Sequence, residues 1–309
     1  MLPKIIFTFA ISATLILTAC GNSAATAPAN GRLQVIATYS ILGDIVQNVG
    51  GDTIGLRTLV GPNGDPHTFQ PSPADSAALA DSALIFENGL GFEPWLDELY
   101  TASGSSAPRM VVTAGLTLQK MIGAEPAEAG DGFDPHVWHS VANVITLTKS
   151  IRDALVRADP THAAIYNAQA DTYLAQLQEL DTWILEQVQT LPKDKRKLVT
   201  SHDTFGYFAE RYGFEIVGTA LASASTESAG PSAAEIAALV EEIKIAGVPA
   251  LFAENTSNPK LMAQIASEAG VALAPSLYTD ALGEPGSAGD TYLKMMRYNV
   301  TTLVTALNQ

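Results

Sequence analysis

The chain has 309 residues, 17 basic against 32 acidic side chains, a formal charge of −15 and a single cysteine. A body this acidic argues against nucleic acid and against a basic membrane-binding face. One cysteine excludes an internal disulfide or a multi-thiolate metal site. The length allows one large domain or two moderate lobes with substantial cores.

Lys4 precedes an apolar run over 5–19. At 15 residues it falls short of the roughly 18 that a membrane-spanning helix needs. A charged start, a short apolar stretch and small residues before a cut site predict a secretory signal over 1–19. Leu17-Thr18-Ala19-Cys20 resembles a bacterial lipobox, in which the cysteine becomes the first mature residue and is acylated. Cys20 would then fix the protein to the membrane on its extracytoplasmic side. Residues 20–31 are small, polar and aperiodic, the composition of a tether.

From residue 32 onwards strand and helix patterns alternate. Residues 33–38, 53–60, 83–87 and 109–113 read as strands, and 41–49, 73–82 and 93–101 as helices between them. A further helix begins near Val141. The second series has strands at 197–201, 214–218, 250–253 and 271–275, with helices at 204–212, 233–246, 259–269 and 290–307. Such alternation predicts parallel βαβ units. Between the two series Asp159 suits an N-cap and Pro160 the first helical position. Tyr166, Ala170, Tyr173, Leu177, Leu180, Ile184, Val188 and Leu191 then recur at spacings of three and four, and Pro192 stops the pattern. The expected architecture is α/β: an N-terminal lobe over 32–158 and a C-terminal lobe over 193–309, each with a mainly parallel sheet flanked by helices. One long backbone helix, over 159–192, joins them as a rigid strut.

The candidate chemistry rests on histidine. Three of the five histidines stand in similarly punctuated motifs: Asp65-Pro66-His67, Asp134-Pro135-His136 and Ser201-His202-Asp203. They are 69 and 66 residues apart, so only a folded two-lobed body brings them together. The prolines restrict the first two loops. His202 follows a strand at the carboxyl edge of a predicted parallel sheet, where open α/β sheets bind ligands. Asp280, in Tyr278-Thr279-Asp280, adds a carboxylate after another strand. Three imidazoles and one carboxylate suit a borderline divalent metal such as zinc. Glu254, at a strand end, reads as a carboxylate supporting a ligand from behind. Trp138 is placed to shield His136 from water. His139 is expected to orient its loop or cap the next helix, and His162 to be solvent-exposed.

Several motifs in this order resemble the zinc/manganese-binding lipoproteins of bacterial ABC importers, the cluster A-I solute-binding proteins. They are Gly64-Asp65-Pro66-His67-Thr68-Phe69-Gln70-Pro71-Ser72-Pro73, Asp134-Pro135-His136-Val137-Trp138, Val199-Thr200-Ser201-His202-Asp203, Gly206-Tyr207-Phe208, Phe252-Ala253-Glu254 and Asp280-Ala281-Leu282-Gly283. The resemblance covers nearly the whole mature chain. It implies two α/β lobes bridged by a helix, metal held between them by His67, His136, His202 and Asp280, and delivery to an ABC permease and its ATPase. Two departures bear on the metal. The stretch 123–133 has no histidine, whereas members dedicated to zinc often carry a His-rich loop there. Members dedicated to manganese usually have Glu where this chain has His202. Three imidazoles favour Zn2+ over Mn2+.

Two other classes of function fit a metal cluster: an extracytoplasmic zinc-dependent hydrolase and a metal-stabilised adhesin. A hydrolytic centre keeps a position open for water, and Asp280 closes this one. Ser201, His202 and Asp203 form no triad, because adjacent side chains of an extended segment point to opposite faces. The expectation is therefore a receptor and not an enzyme, monomeric and without nucleic acid.

Overall fold

A computed structural model describes residues 31–121, 132–221 and 230–309. The expected leader and Cys20, and most of the stretch 123–133, lie outside the described residues. No described helix is long and apolar enough to cross a membrane.

The first lobe is built on four parallel strands, β1 (Leu33–Tyr39), β2 (Ile54–Val60), β3 (Leu84–Glu87) and β4 (Arg109–Val111), in the order β2-β1-β3-β4. Helices α1 (Ser40–Gly50), α2 (Pro73–Ala80) and α3 (Leu96–Ser103) make the crossovers. Period-two alternation explains why both faces are dry. Val35, Ala37 and Tyr39 of β1 join the main core, whereas Ile36 joins a second cluster with Leu79, Leu96 and Leu99 from α2 and α3.

A 3-10 turn, Val137–His139, leads into α4 (Val141–Ala158), and a second, Pro160–His162, into α5 (Ala163–Gln189). The long helix is therefore one turn of 3-10 followed by 27 residues of α-helix, roughly 40 Å at 1.5 Å per residue. Asp159 stands at the start, but its side chain caps no backbone N–H. The carboxylate is spent on His162 Nδ1 (2.6 Å) and the Tyr166 hydroxyl (2.9 Å), which leaves His162 only partly exposed. Every apolar position read from the periodicity is buried, and Leu174 joins them. This stripe packs on α1 and α4 of the first lobe and on α9 (Tyr292–Leu307) of the second.

The second lobe carries β5 (Lys197–Thr200), α6 (Gly206–Tyr212), β6 (Glu215–Thr219), α7 (Ala233–Ala246), β7 (Ala250–Glu254), α8 (Lys260–Ala269) and β8 (Ala272–Leu277). Its strands are parallel but form two pairs, β5 with β6 and β7 with β8, each broken by a register shift, with β5 lying beside β7. The shifts fall between Leu198 and Val199 and between Phe252 and Glu254, close to the strand ends that serve the site. Such irregularities re-aim strand ends.

Candidate metal centre

Three of the four residues singled out as ligands follow strand carboxyl ends and the fourth, His136, precedes a helix, all where the lobes meet. His67 ends the turn after β2, His202 follows β5 by two residues, Asp280 follows β8 by three, and His136 precedes the turn into α4. One donor atom from each lies within 4.8 Å of the other three. His67 Nε2 is 3.6 Å, His136 Nε2 3.7 Å and His202 Nε2 3.1 Å from a carboxylate oxygen of Asp280. His136, His202 and Asp280 are wholly buried and His67 is 3% exposed. Apart from the 3.1 Å approach of His202 Nε2 to Asp280, the three Nε2 atoms and Asp280 Oδ2 have no hydrogen-bond partner. Buried polar atoms are normally paired. Four unpaired ones converging on one point fit a cation, and the donor set is that of a closed zinc shell.

The Asp-Pro-His repeat now has a cause. Asp65 Oδ1 accepts from His67 N, and Asp134 Oδ1 from His136 N, both at 2.9 Å. Each is an Asx turn that fixes the histidine backbone locally. Asp134 Oδ1 also lies 2.7 Å from His136 Nδ1. In the second lobe Glu254 does the same from 52 residues away, accepting from His202 N (3.0 Å) and standing 2.5 Å from Nδ1. Carboxylates on Nδ1 leave Nε2 free for a metal. Gly206 is explained by Asp134: a Cβ there would stand 2.6 Å from Asp134 Oδ2. Tyr207 adds a hydroxyl bond to the Asp134 carbonyl (3.1 Å).

Electrostatics divides the imidazoles. Burial lowers His67 to about 3, so it is neutral and ready to ligate at any ordinary pH. Burial opposes charge on His202 too, but the carboxylates of Glu254 and Asp280 overcome it and raise the ring well above its usual value. Burial alone would raise Asp280; the imidazoles, His202 foremost, hold it below the usual carboxylate range. A cation bound among these donors would therefore compete with a proton on His202.

An aromatic wall keeps water out. Phe92 meets His67 edge-on at 4.7 Å and Trp138 at 4.9 Å. Trp138 is fully buried, 5.4 Å from the His136 ring, and its Nε1 donates to the Thr279 carbonyl (2.8 Å), beside Asp280. His139 does not join the four. It ends the 3-10 turn, caps nothing, stacks on Phe205 at 4.5 Å and leaves both ring nitrogens buried and unpartnered. Burial lowers it to about 3. Sequence reasoning missed Asn255, whose side chain holds the Asp280 loop, and Phe92. Asn255 directly follows the Phe-Ala-Glu motif, which was the available signal; nothing local marks Phe92.

Comparison with known proteins gives a consistent picture. Residues 35–306 match the profile of the family described as ZnuA, zinc-uptake complex component A, periplasmic. The manganese-binding lipoprotein MntA of Halalkalibacterium halodurans is 37% identical over 310 residues, all of both chains. The iron-binding protein YfeA of Yersinia pestis is 31% identical over 98% of this chain and 96% of its own. The solved structure of the periplasmic zinc-binding protein TroA from Treponema pallidum superposes with a TM-score of 0.82 at 30% identity, covering 90% of this chain and 99% of that one.

Proposed function

Because the chain belongs to the ZnuA family of periplasmic metal-uptake components, we propose that its cargo is a single divalent transition-metal ion, zinc ahead of manganese, held by His67, His136, His202 and Asp280. The protein is a metal-binding receptor of an ABC importer and not an enzyme. Its cargo is handed to the permease and its ATPase. The observation that carries the ligand assignment is the convergence of four buried, unpartnered donor atoms from both lobes. Zinc is favoured because three of the four are imidazole nitrogens, and affinity at such sites rises from manganese towards copper and zinc. Manganese is the second reading, supported by the name of the relative that is 37% identical over the full length. Acylation of Cys20 would hold a monomeric receptor at the outer face of the membrane.

The test is elemental analysis of protein purified without added metal, followed by titration of zinc against manganese. One equivalent of zinc, displaced by manganese only at large excess, is the expected result. A site that keeps manganese against equimolar zinc would overturn the preference. Chelation should leave the fold intact, as cargo requires; collapse on chelation would assign the metal a structural role.

A further inference from the structure

Two consecutive residues at the carboxyl end of β7 organise the site. Glu254 orients His202 as described; Asn255 takes the Asp280 loop. Asn255 Oδ1 accepts from Thr279 N and Nδ2 donates to the Ala281 carbonyl, both at 3.1 Å. The residues on either side of Asp280 therefore hang on one side-chain amide. The same Nδ2 donates to Asn63 Oδ1 at 3.0 Å, and Asn63 N donates to the Leu282 carbonyl at 2.8 Å. Asn63 belongs to the first lobe, in the turn that leads to His67. Its φ is +54°, a left-handed conformation that asparagine accepts better than most residues. One pair of amides thus joins the His67 turn, the Asp280 loop and the strand end that orients His202.

From this geometry we infer that Asn255 is a positioning residue for Asp280, and that the Asn63–Asn255 pair is a latch across the cleft that sets how fast the metal leaves. The inference rests on the ligand assignment proposed above. Other side-chain bonds from the first lobe to this loop, Trp138 to Thr279 and Leu282 N to Ser40 Oγ, are buried, whereas the amide pair is exposed. Water competes for an exposed hydrogen bond, so this is the weakest of these side-chain ties from the first lobe. Both partners are neutral. The latch therefore adds no charge to a site whose electrostatics the ligands already set, and it does not titrate. Its effect is expected on dissociation, because the pair ties the first lobe to the residue that holds the Asp280 loop in the closed structure.

Stopped-flow transfer of zinc to an excess of chromophoric chelator, with association measured separately, tests this. Asn63→Gly keeps the left-handed backbone and its N–H and deletes only the latch side chain. Zinc dissociation should quicken about three- to tenfold, with association unchanged. Asn255→Ala should release zinc about 10- to 100-fold faster, with faster hydrogen exchange at 279–282. The double variant should release no faster than Asn255→Ala alone, because the pair is already gone. Parental release rates in both single variants, or fully multiplicative effects in the double, would overturn the latch while leaving the ligands in place. A parent that takes up no zinc, or a His202→Ala variant that keeps it, would overturn the ligand assignment and the latch with it.

Discussion

At the scale of single residues, the site separates the four proposed ligands from the side chains that aim them. Replacing His67, His136 or His202 with Ala should each weaken zinc binding in calorimetry by more than the roughly 10- to 100-fold that loss of an orienting partner costs, the range expected for Glu254→Gln. His162→Ala, at a partly exposed residue paired with Asp159, should bind as the parent does. His139→Ala should change affinity little, since its ring stacks on Phe205 outside the ligand quartet. The pH dependence follows from the divided imidazoles. Three ordinary histidines would make affinity collapse between about pH 6.5 and 5. His67, lowered to about 3, offers protons no competition in that range. His202, raised by its carboxylates, competes from higher pH. Its proton is bound in the metal-free state and lost on binding, so affinity rises with pH until the pH exceeds the raised value. Calorimetry at pH 7 in buffers of different ionisation enthalpy should therefore register release of about one proton per zinc. Release of none would exclude a protonated His202. The four candidate ligands that the fold brings together were legible because each motif is local: a histidine or aspartate with its turn residues. The burial of His139 without partners was not, because a lone histidine carries no sign of what will pack on it.

Among the secondary-structure elements, α5 and β7 matter most. The spacing of Tyr166, Ala170, Tyr173, Leu177, Leu180, Ile184 and Val188 made α5 readable, since a stripe at three and four needs only the helix itself. Leu180→Ala, at a fully buried position, should cost about 2–5 kcal/mol in denaturant unfolding while zinc affinity holds. A loss of affinity in step with stability would mean that the helix, and not the loops, tunes the site. The break between the paired strands of the second lobe could not be read, because each strand's pattern is the same whether or not its neighbour continues the ladder. Nor could the side-chain clasp of Tyr292 on the Trp138 carbonyl, 2.8 Å across 154 residues, since no periodicity reaches that far.

For the whole molecule, the question is how far it moves. Sugar-binding receptors close on hinges made of flexible crossovers. Here α5 spans 27 residues with no glycine or proline, and it packs on helices of both lobes. Tyr292 N on Asp44 (3.0 Å) and Leu282 N on Ser40 (3.0 Å) bind the lobes further. Small-angle scattering should give near-identical radii of gyration with and without zinc, while hydrogen exchange slows around His136, His202 and Asp280. A decrease of several ångströms on adding zinc would refute the strut and require a hinge.

The two Asx turns have a further consequence, for the order in which the protein becomes able to bind. In the first lobe His67 and His136 are each held by the aspartate two residues before, so those loops need almost no chain closure to take shape. In the second, His202 waits for Glu254, 52 residues later, and Asp280 waits for β8. Closing longer loops costs more entropy and comes later. A chain folding from its N-terminus thus presents two prepared imidazoles, half of the proposed coordination sphere, before His202 and Asp280 are in place. Half a sphere binds any divalent ion weakly and lets it go. On this ligand assignment the shell is completed only by the second lobe, which supplies both His202 with its Glu254 brace and Asp280.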